Sequence, residues 1–586
     1  MPSIVGKRRG DRTYYYLVES ARVEGQPRIV DQQYLGTAEE VLGRLAGTAS
    51  GAPQRSQHRA FGDVAAVWGI LERLGVAAAV DAVCGPRRTD AGASVGTYLA
   101  LATLNRVVAP RSKLAFADWW AGTAGSRWVG LPAAALDHRR FWDAMDVLDD
   151  TRLRTAERAI DARMVTEFGL DLAGLALDMT NFATFIDSTN DRAPIAQRGH
   201  AKQKRVDLRL VGLGLVVTAD GAIPVTSHAY PGHCPDVTQF RVVIDELVAR
   251  YRALTGPPAV PTVVFDAGQN SAANFAHLAD TGLHYVSSVP PSDQPDLLAL
   301  PAQRRHLVDS DRFGGLTAVD THAGVLGADR RVVLTHSPTL HEAQARGFAQ
   351  TLATATRALA ELAATLERGR TRRSRDQVQT EITRITQPRW LRRVVLTELT
   401  GTEPAGLRLH WTVDPAARDM LEAEVFGKRI LITDRDDWSV ADVVAAYRSQ
   451  CDVEAGFRQL KDPHVVGFAP MFHWTESKIR VHVFYCVLAL AVAHLMRRQA
   501  AQAGLALSVR ELLAHLAGIQ ETVLIYPGER GPPPGPAAAH RHRPDPASAR
   551  RPVRPGHVRP QPVTWVIQPG PTKTACHQRK HRSRSN

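Results

Sequence analysis

The chain changes rhythm at Leu172, and that change limits its possible folds more than any other feature. LAGLALDMTNFATF (172–185), VDLRLVGLGLVV (206–217) and AIPVTSHAY (222–230) are strand-length apolar runs, the last two separated by Asp220-Gly221. Helical and strand patterns then alternate: PDVTQFRVVIDELVARYRAL (235–254) reads as a helix and PTVVFD (261–266) as a short buried strand. SAANFAHLADT (271–281) reads as a helix and HYVSSV (284–289) as a strand. Three antiparallel strands followed by such alternation predict an α/β chain with a mixed sheet flanked by helices.

The flanking segments are different in kind. Residues 1–55 alternate as a twisted hairpin, with Tyr14-Tyr15-Tyr16-Leu17-Val18 and Arg28-Ile29-Val30 on either side of a Glu-Gly turn. Residues 56–165 have helical apolar spacing, as in VAAVWGILERLGVAAAVDAV, and many arginines, which suits a DNA-binding region or an ordinary helical domain. With 166–290 as the first part of the core, residues 291–436 interrupt it. They hold a long helix (341–370) and strand-like runs RRVVLTEL, LRLHWTV and KRILITD, and are expected to form a strand-rich insertion domain. Residues 437–526 close the core with a helix from Val440 to Lys461 and an apolar helix after Ile479. The most apolar stretch, Val483 to Leu495, is about half the length a membrane span needs and is expected to be a buried helix. No internal repeat is visible.

The net charge of +13 is unevenly placed. Residues 527–586 hold twelve Lys/Arg against Glu529 and Asp545, so this tail supplies ten of the thirteen charges and the body is near neutral. Its Pro/Arg/Ala/Gly composition predicts disorder, and the abrupt change after ETVLIYPG resembles out-of-frame translation of GC-rich DNA. The basic balance alone therefore supports nucleic-acid binding only weakly. Five scattered cysteines without a CxxC pair suit reduced thiols, and the first residues lack the apolar core of a signal peptide. Both point to a cytoplasmic protein.

Three acidic residues carry the chemistry. Asp178 lies within the apolar strand LALDMT, where a carboxylate is costly unless paired, protonated or bound to metal. Asp266 ends the strand VVFD and precedes a loop, the end of the strand at which α/β proteins place ligands, although such aspartates also cap helices. In AAYRSQCDVEAGFRQLKD (445–462), Val453, Phe457 and Leu460 form a core stripe. Tyr447, Glu454 and Lys461, each seven apart, fall almost on one line of the same helix, with Gln450 a turn before Glu454. A phosphate-handling site needs this mixture of carboxylate, cation and neutral donors. Asp187 and Asp191 are the rivals of Asp178, but their polar surroundings suit surface residues. The basic run Lys202, Lys204, Arg205 suits backbone phosphates or a solvated charge run. Trp119, Trp120, Trp390 and Trp474 could stack on an extruded base or belong to the core, and His228, His233 and His473 lack metal-ligand spacing.

These residues resemble the DDE transposases of bacterial insertion sequences, specifically the insertion-sequence-four superfamily and its branch numbered sixteen thirty-four. That family's third-acid motif, Tyr-x2-Arg-x3-Glu-x6-Lys, is matched by Tyr447, Gln450, Glu454 and Lys461, with the Arg position departing. LALDMTNFATF resembles its first-acid strand, FDAGQNSAANF its second-acid loop, and HWTESKIRVHVFYCVLAL the helix after the motif.

The resemblance implies an RNase H-like fold in which Asp178, Asp266 and Glu454 form the acidic triad and hold two Mg²⁺ ions, with Mn²⁺ as a possible substitute. It implies a nuclease and strand transferase acting on double-stranded DNA, at the inverted-repeat ends and at the target, and a homodimer in the synaptic complex. It gives Tyr447 and Lys461 phosphate contacts, with Arg458 beside them. Gln450 keeps hydrogen-bonding ability but lacks the bidentate cation. A catalytically inactive DNA-binding remnant and a host nuclease on the same fold are the competing expectations. No membrane partner is expected, and the location implied is the bacterial cytoplasm, at the nucleoid.

Overall fold

The computed structural model describes residues 2–23, 26–47, 55–200, 207–255, 260–370 and 372–525. It begins with β1 (Pro2–Arg9), β2 (Arg12–Val23) and β3 (Gln26–Thr37), an antiparallel three-stranded sheet, then α1 (Ala38–Gly47). The expected hairpin thus has a third strand, which the basic run KRRG had hidden. After β4 (Arg55–Ala60) comes a helical stretch: α2 (Gly62–Arg73), α3 (Val76–Cys84), α4 (Val95–Val108), α5 (Phe116–Ala121), α6 (His138–Asp146) and α7 (Asp150–Phe168).

The core follows as β5 (Gly174–Thr184), β6 (Arg209–Thr218), β7 (Pro224–Pro231), α8 (Asp236–Thr255), β8 (Thr262–Phe265), α9 (Ala272–Thr281) and β9 (His284–Val289). Next come α10 (Pro295–Leu298), β10 (His306–Leu307), α11 (Ser310–Phe313), β11 (Thr317–Val325), β12 (Ala328–His336), α12 (Pro338–Glu367), α13 (Arg375–Ile385), α14 (Leu391–Val394), β13 (Val395–Thr400), β14 (Arg408–Val413), α15 (Pro415–Val425) and β15 (Lys428–Thr433). The chain closes with α16 (Val440–Arg448), α17 (Gln450–Lys461), α18 (Glu476–Gln502), α19 (Val509–Ala517) and β16 (Gln520–Ile525).

One nine-stranded mixed sheet organises the molecule, in the order β10-β11-β12-β15-β9-β8-β5-β6-β7. β5 pairs antiparallel with β6 and parallel with β8, and β8 pairs parallel with β9. β6 is buried from Leu210 onward, as a central strand covered on both faces must be. Gly212 is required there: a Cβ would come within 2.1 Å of the Tyr230 ring on β7.

Two sequence expectations need correction. Residues 291–436 were expected to stand apart as an insertion, but β10, β11, β12 and β15 join the core sheet at β9, while α12 to α15 and the β13–β14 hairpin lie outside it. The exposed, polar positions of β11 concealed this continuity. The single helix expected from Val440 to Lys461 is two, meeting at Ser449, whose hydroxyl donates to Ala446 O at 2.6 Å and whose N–H also bonds that carbonyl.

Helix α18 is apolar on all sides because it is enclosed. Val481 through Met496 are buried, packed against α2, α4, α6, α7, α17, α19 and β7. It is long and apolar enough to cross a membrane by length and composition, yet 94% of its apolar window is buried within the protein. β16 pairs with β4, tying the end of the described chain to the start of the helical stretch. Both strands are largely exposed and their residues do not alternate between apolar and polar, so neither is legible from local periodicity.

Candidate active site

Asp178 and Asp266 are brought together by strand register. Leu177 pairs with Phe265 on the parallel neighbours β5 and β8, and each aspartate is the next residue. Adjacent strands run about 4.8 Å apart, so the two carboxylates leave neighbouring strands at matching height. Asp266 is exposed and Asp178 half-buried, with Asp178 Oδ1 accepting the N–H of Met179 at 2.7 Å.

Helices α16 and α17 cross the sheet at this point. The Tyr447 hydroxyl lies 2.9 Å from Ser288 Oγ on β9 and 3.3 Å from Asp266 Oδ1, and Ser288 Oγ donates to that same oxygen at 3.0 Å. Burial pushes the Tyr447 phenol above its ordinary pKa, with the charge of Asp266 adding to the effect, so it stays a donor. Gln450 Nε2 donates to the carbonyl of Leu177 at 3.0 Å, and Lys461 Nζ donates to Thr180 Oγ1 at 2.7 Å. Thr180 and Asp178 share a face of β5 because side chains alternate along a strand. The two anchors therefore bracket Glu454 on the helix that covers the Asp178 face. Glu454 is exposed and accepts no hydrogen bond from the described residues.

The expected DNA contacts are distributed unevenly. Tyr447 is 7% exposed and Gln450 5%, and both polar ends turn onto the sheet, as does that of Lys461. An amide facing a strand carbonyl can be buried there, whereas an open phosphate contact would need it in solvent; Gln450 Oε1 is itself buried without a partner. Arg458, one turn after Glu454, is exposed. Lys202, Lys204 and Arg205 lie outside the described residues, as does the 527–586 tail. Asp187 sits in an exposed turn, where bonds from the Thr189 N–H and hydroxyl hold its carboxyl below the usual range. Trp120 is buried, Trp474 is exposed, and Trp390 lines a cleft of about 260 Å³ beside Asp266.

Ser288 was missed from sequence, as were Arg389, Lys428 and Arg429 of that cleft. The Arg429 guanidinium lies 5.1 Å from the centre of the Tyr447 ring. The only sequence signal for Lys428 and Arg429 is a Lys-Arg pair opening an apolar strand, which reads equally as a solvated strand end, and Ser288 and Arg389 have none. Among the described residues, no three His, Cys, Asp or Glu side chains are gathered closely enough to hold a metal ion. The site brings two carboxylates into register and leaves the third on a side chain free to turn.

No curated protein matches the sequence. Among solved structures, the chain is similar to a piggyBac transposase synaptic complex with hairpin DNA determined by cryo-EM, at 10% identity and a TM-score of 0.36, over 79% of this chain and 82% of that one. The transposase DDE domain model matches residues 183–490, just over half the chain, starting five residues after Asp178 and including Asp266 and Glu454. The chain belongs to the transposase DDE domain family.

Proposed function

We propose that this protein is a DNA transposase that nicks the ends of its own insertion sequence and joins the freed 3′-OH to target DNA, with Asp178, Asp266 and Glu454 as the metal-holding acids. The observation that carries the reading is the matched register of Asp178 and Asp266 beneath the helix that bears Glu454. The strand order β9-β8-β5-β6-β7, with three antiparallel strands followed by two parallel ones, supports an RNase H-like core. The motif spacing around Glu454 supports the insertion-sequence-four superfamily and its branch sixteen thirty-four.

The donor set fits a hard divalent cation. It is all carboxylate oxygen, as Mg²⁺ prefers, and Asp266 keeps Oδ2 open while Oδ1 is held by Ser288 and Tyr447. When bound, two such ions supply Lewis acidity and an activated water. The protein's own residues do the rest. The Tyr447–Ser288 relay fixes the Asp266 carboxylate, and the Gln450 and Lys461 anchors hold α17 across β5 so that Glu454 can reach the aspartates. Arg458 offers an exposed cation to the DNA backbone. Water adds to a phosphodiester at the element's end and releases a 3′-OH. That hydroxyl then attacks a target phosphodiester and displaces a target 3′-OH. Double-stranded DNA is the substrate in both steps, and bringing two ends together suits a homodimer.

The test is a cleavage and joining assay with the full chain, a duplex carrying the repeats that flank its gene, and a supercoiled plasmid. Mg²⁺-dependent nicks at the repeat end, followed by joining to the plasmid, support the reading. Binding without cutting in either Mg²⁺ or Mn²⁺ would support the inactive remnant instead.

A further inference from the structure

Helix α12 ends in a cluster of cations, three of which the fold does not use. Residues 368–375 read RGRTRRSR, five arginines in eight positions with no acid among them; Glu367 and Asp376 flank the run. Along α12 itself the charges are matched, with Glu342 paired to Arg346 at 3.6 Å and Glu361 one turn after Arg357. At its end they are not. Arg368, Arg370 and Arg372 are exposed, and no carboxylate pairs with them among the described residues. Arg373 has Glu381 within electrostatic reach, and that carboxylate also pairs with Arg384 at 2.6 Å. Like charges this close repel one another, and an untethered run would spread apart. Here the chain on both sides of them is tied down. Arg375 donates to the carbonyls of Leu399 at 2.7 Å and Gly401 at 2.5 Å. Arg408 donates to Ala405 O at 3.1 Å, beside Gly369, and Ser374 and Gln377 cap each other at the start of α13.

We propose that Arg368, Arg370 and Arg372 grip the phosphate backbone of duplex DNA, whatever its sequence, about a dozen base pairs from the phosphodiester at the acidic site. The inference rests on the DNA-handling reading above and adds to it a contact remote from the acids. The distance comes from α12. Its first turns, at Leu340 and Gln344, line the cleft beside Asp266. At 1.5 Å per residue, the helix from Leu340 to Glu367 carries the cluster about 40 Å away. Phe348, Leu352, Leu359, Leu362 and Leu366 form a buried stripe that braces the helix along this length. Each base pair advances a duplex by about 3.4 Å, so about twelve pairs cover the same distance. Guanidinium groups match phosphate oxygens in planar pairs. A protein partner would call for apolar or aromatic anchors, and residues 367–377 (ERGRTRRSRDQ) contain none. Gln377, the one amide there, is engaged in the cap, which leaves only charge to meet the DNA. The element's own duplex and the target duplex offer the same phosphate chemistry, and the test separates them.

The test uses the full chain with Asp178→Asn to prevent cutting, and measures affinity for three duplexes across a salt series. A long end duplex reaches about 25 base pairs either side of the cut, a short one about 6, and an unrelated duplex of the long length stands for the target. The combined Arg368→Ala, Arg370→Ala and Arg372→Ala variant is expected to bind at least one long duplex about tenfold more weakly. Its plot of log affinity against log salt should be shallower by about two to three, close to one unit per lost phosphate contact. The short duplex, which ends before the cluster, should bind variant and parent alike. Lysine at all three positions should keep the parent's slope, which separates lost charge from an altered loop. A loss on the end duplex assigns the grip to the element's DNA, and a loss on the unrelated duplex alone assigns it to the target. Unchanged affinity and slope on both long duplexes would overturn the proposal, as would an equal loss on the short one. Loss of self-association with DNA binding intact would assign the cluster to a protein partner and overturn it too. If nicking depends on the acids while the triple variant binds DNA fully, only this inference fails. If nicking ignores the acids while the triple variant binds the long duplexes weakly, only the metal-site reading fails.

Discussion

The phenol of Tyr447 lies 3.3 Å from Oδ1 of Asp266, although the two residues are 181 positions apart in the chain. Ser288 stands between them as donor to Asp266 and neighbour of the hydroxyl. A buried phenol in this place orients a carboxylate. It is poorly placed to grip a DNA end.

Tyr447→Phe therefore separates orientation from binding. Removing the hydroxyl is expected to raise the Mg²⁺ concentration needed for half-maximal nicking by about ten- to a hundredfold, the usual cost of losing a partner that orients a metal ligand. Affinity for end DNA should stay within about twofold, because the ring is buried and the lost hydroxyl faces inward. A metal titration beside a binding titration checks this. Weaker DNA binding with an unchanged metal requirement would restore the phosphate role implied by the family resemblance.

Gln450→Ala tests the seat of α17 on β5. It removes the bond to the Leu177 carbonyl and opens space at a site only 5% exposed, so a loss of about 2 kcal/mol of stability is expected. Denaturant unfolding measures it. The salt dependence of DNA binding should not change, since no phosphate contact is removed.

How far the site was legible follows from these residues. Asp178, Asp266 and Glu454 could be picked out because each breaks a local pattern or falls on a helical line, and the α/β class was visible in the change of rhythm at Leu172. What stayed hidden depends on which neighbour a side chain meets. Gln450 and Lys461 have the composition of phosphate ligands, but their partners, the Leu177 carbonyl and the Thr180 hydroxyl, come from a strand more than 270 positions away. Ser288 sits in an ordinary HYVSSV strand and gains meaning only from its pairing beside β8. The joining of β10, β11, β12 and β15 to the core sheet was hidden because register between distant strands leaves no trace in local periodicity.

Arg250 holds the helical stretch to the core and gives a stability prediction. Its buried guanidinium pairs with Glu157 at 2.6 Å, Asp161 at 2.5 Å and Glu246 at 2.9 Å, joining α7 to α8. Arg250→Met leaves these carboxylates without their cation and is expected to cost about 3–5 kcal/mol. Thermal or denaturant unfolding would show it, and a change below about 1 kcal/mol would mean that water replaces the cation.

His494 sets part of the acid limit of stability. The ring is fully buried, 2.6 Å from the Ala222 carbonyl and 3.0 Å from the Gln459 side-chain oxygen, and burial lowers its pKa from 6.5 to about 4. Below pH 6.5 the unfolded chain takes up a proton that the folded chain refuses. Stability is thus intact above pH 6.5 and falls as pH drops toward 4, by about 3 kcal/mol from this group. His494→Gln should make the acid limb of a stability-against-pH curve shallower by about one proton.

Asp178, Asp266 and Glu454 are proposed to act as one metal-holding unit. The most direct measurement compares nicking of end DNA by Asp178→Asn, Asp266→Asn and Glu454→Gln with the parent chain at saturating Mg²⁺ and matched DNA occupancy. Each variant is expected to bind the duplex and to lose at least about a thousandfold in nicking rate, with the double variants no worse than the singles. A variant that nicks at the parent rate would remove that residue from the site and contradict the claim.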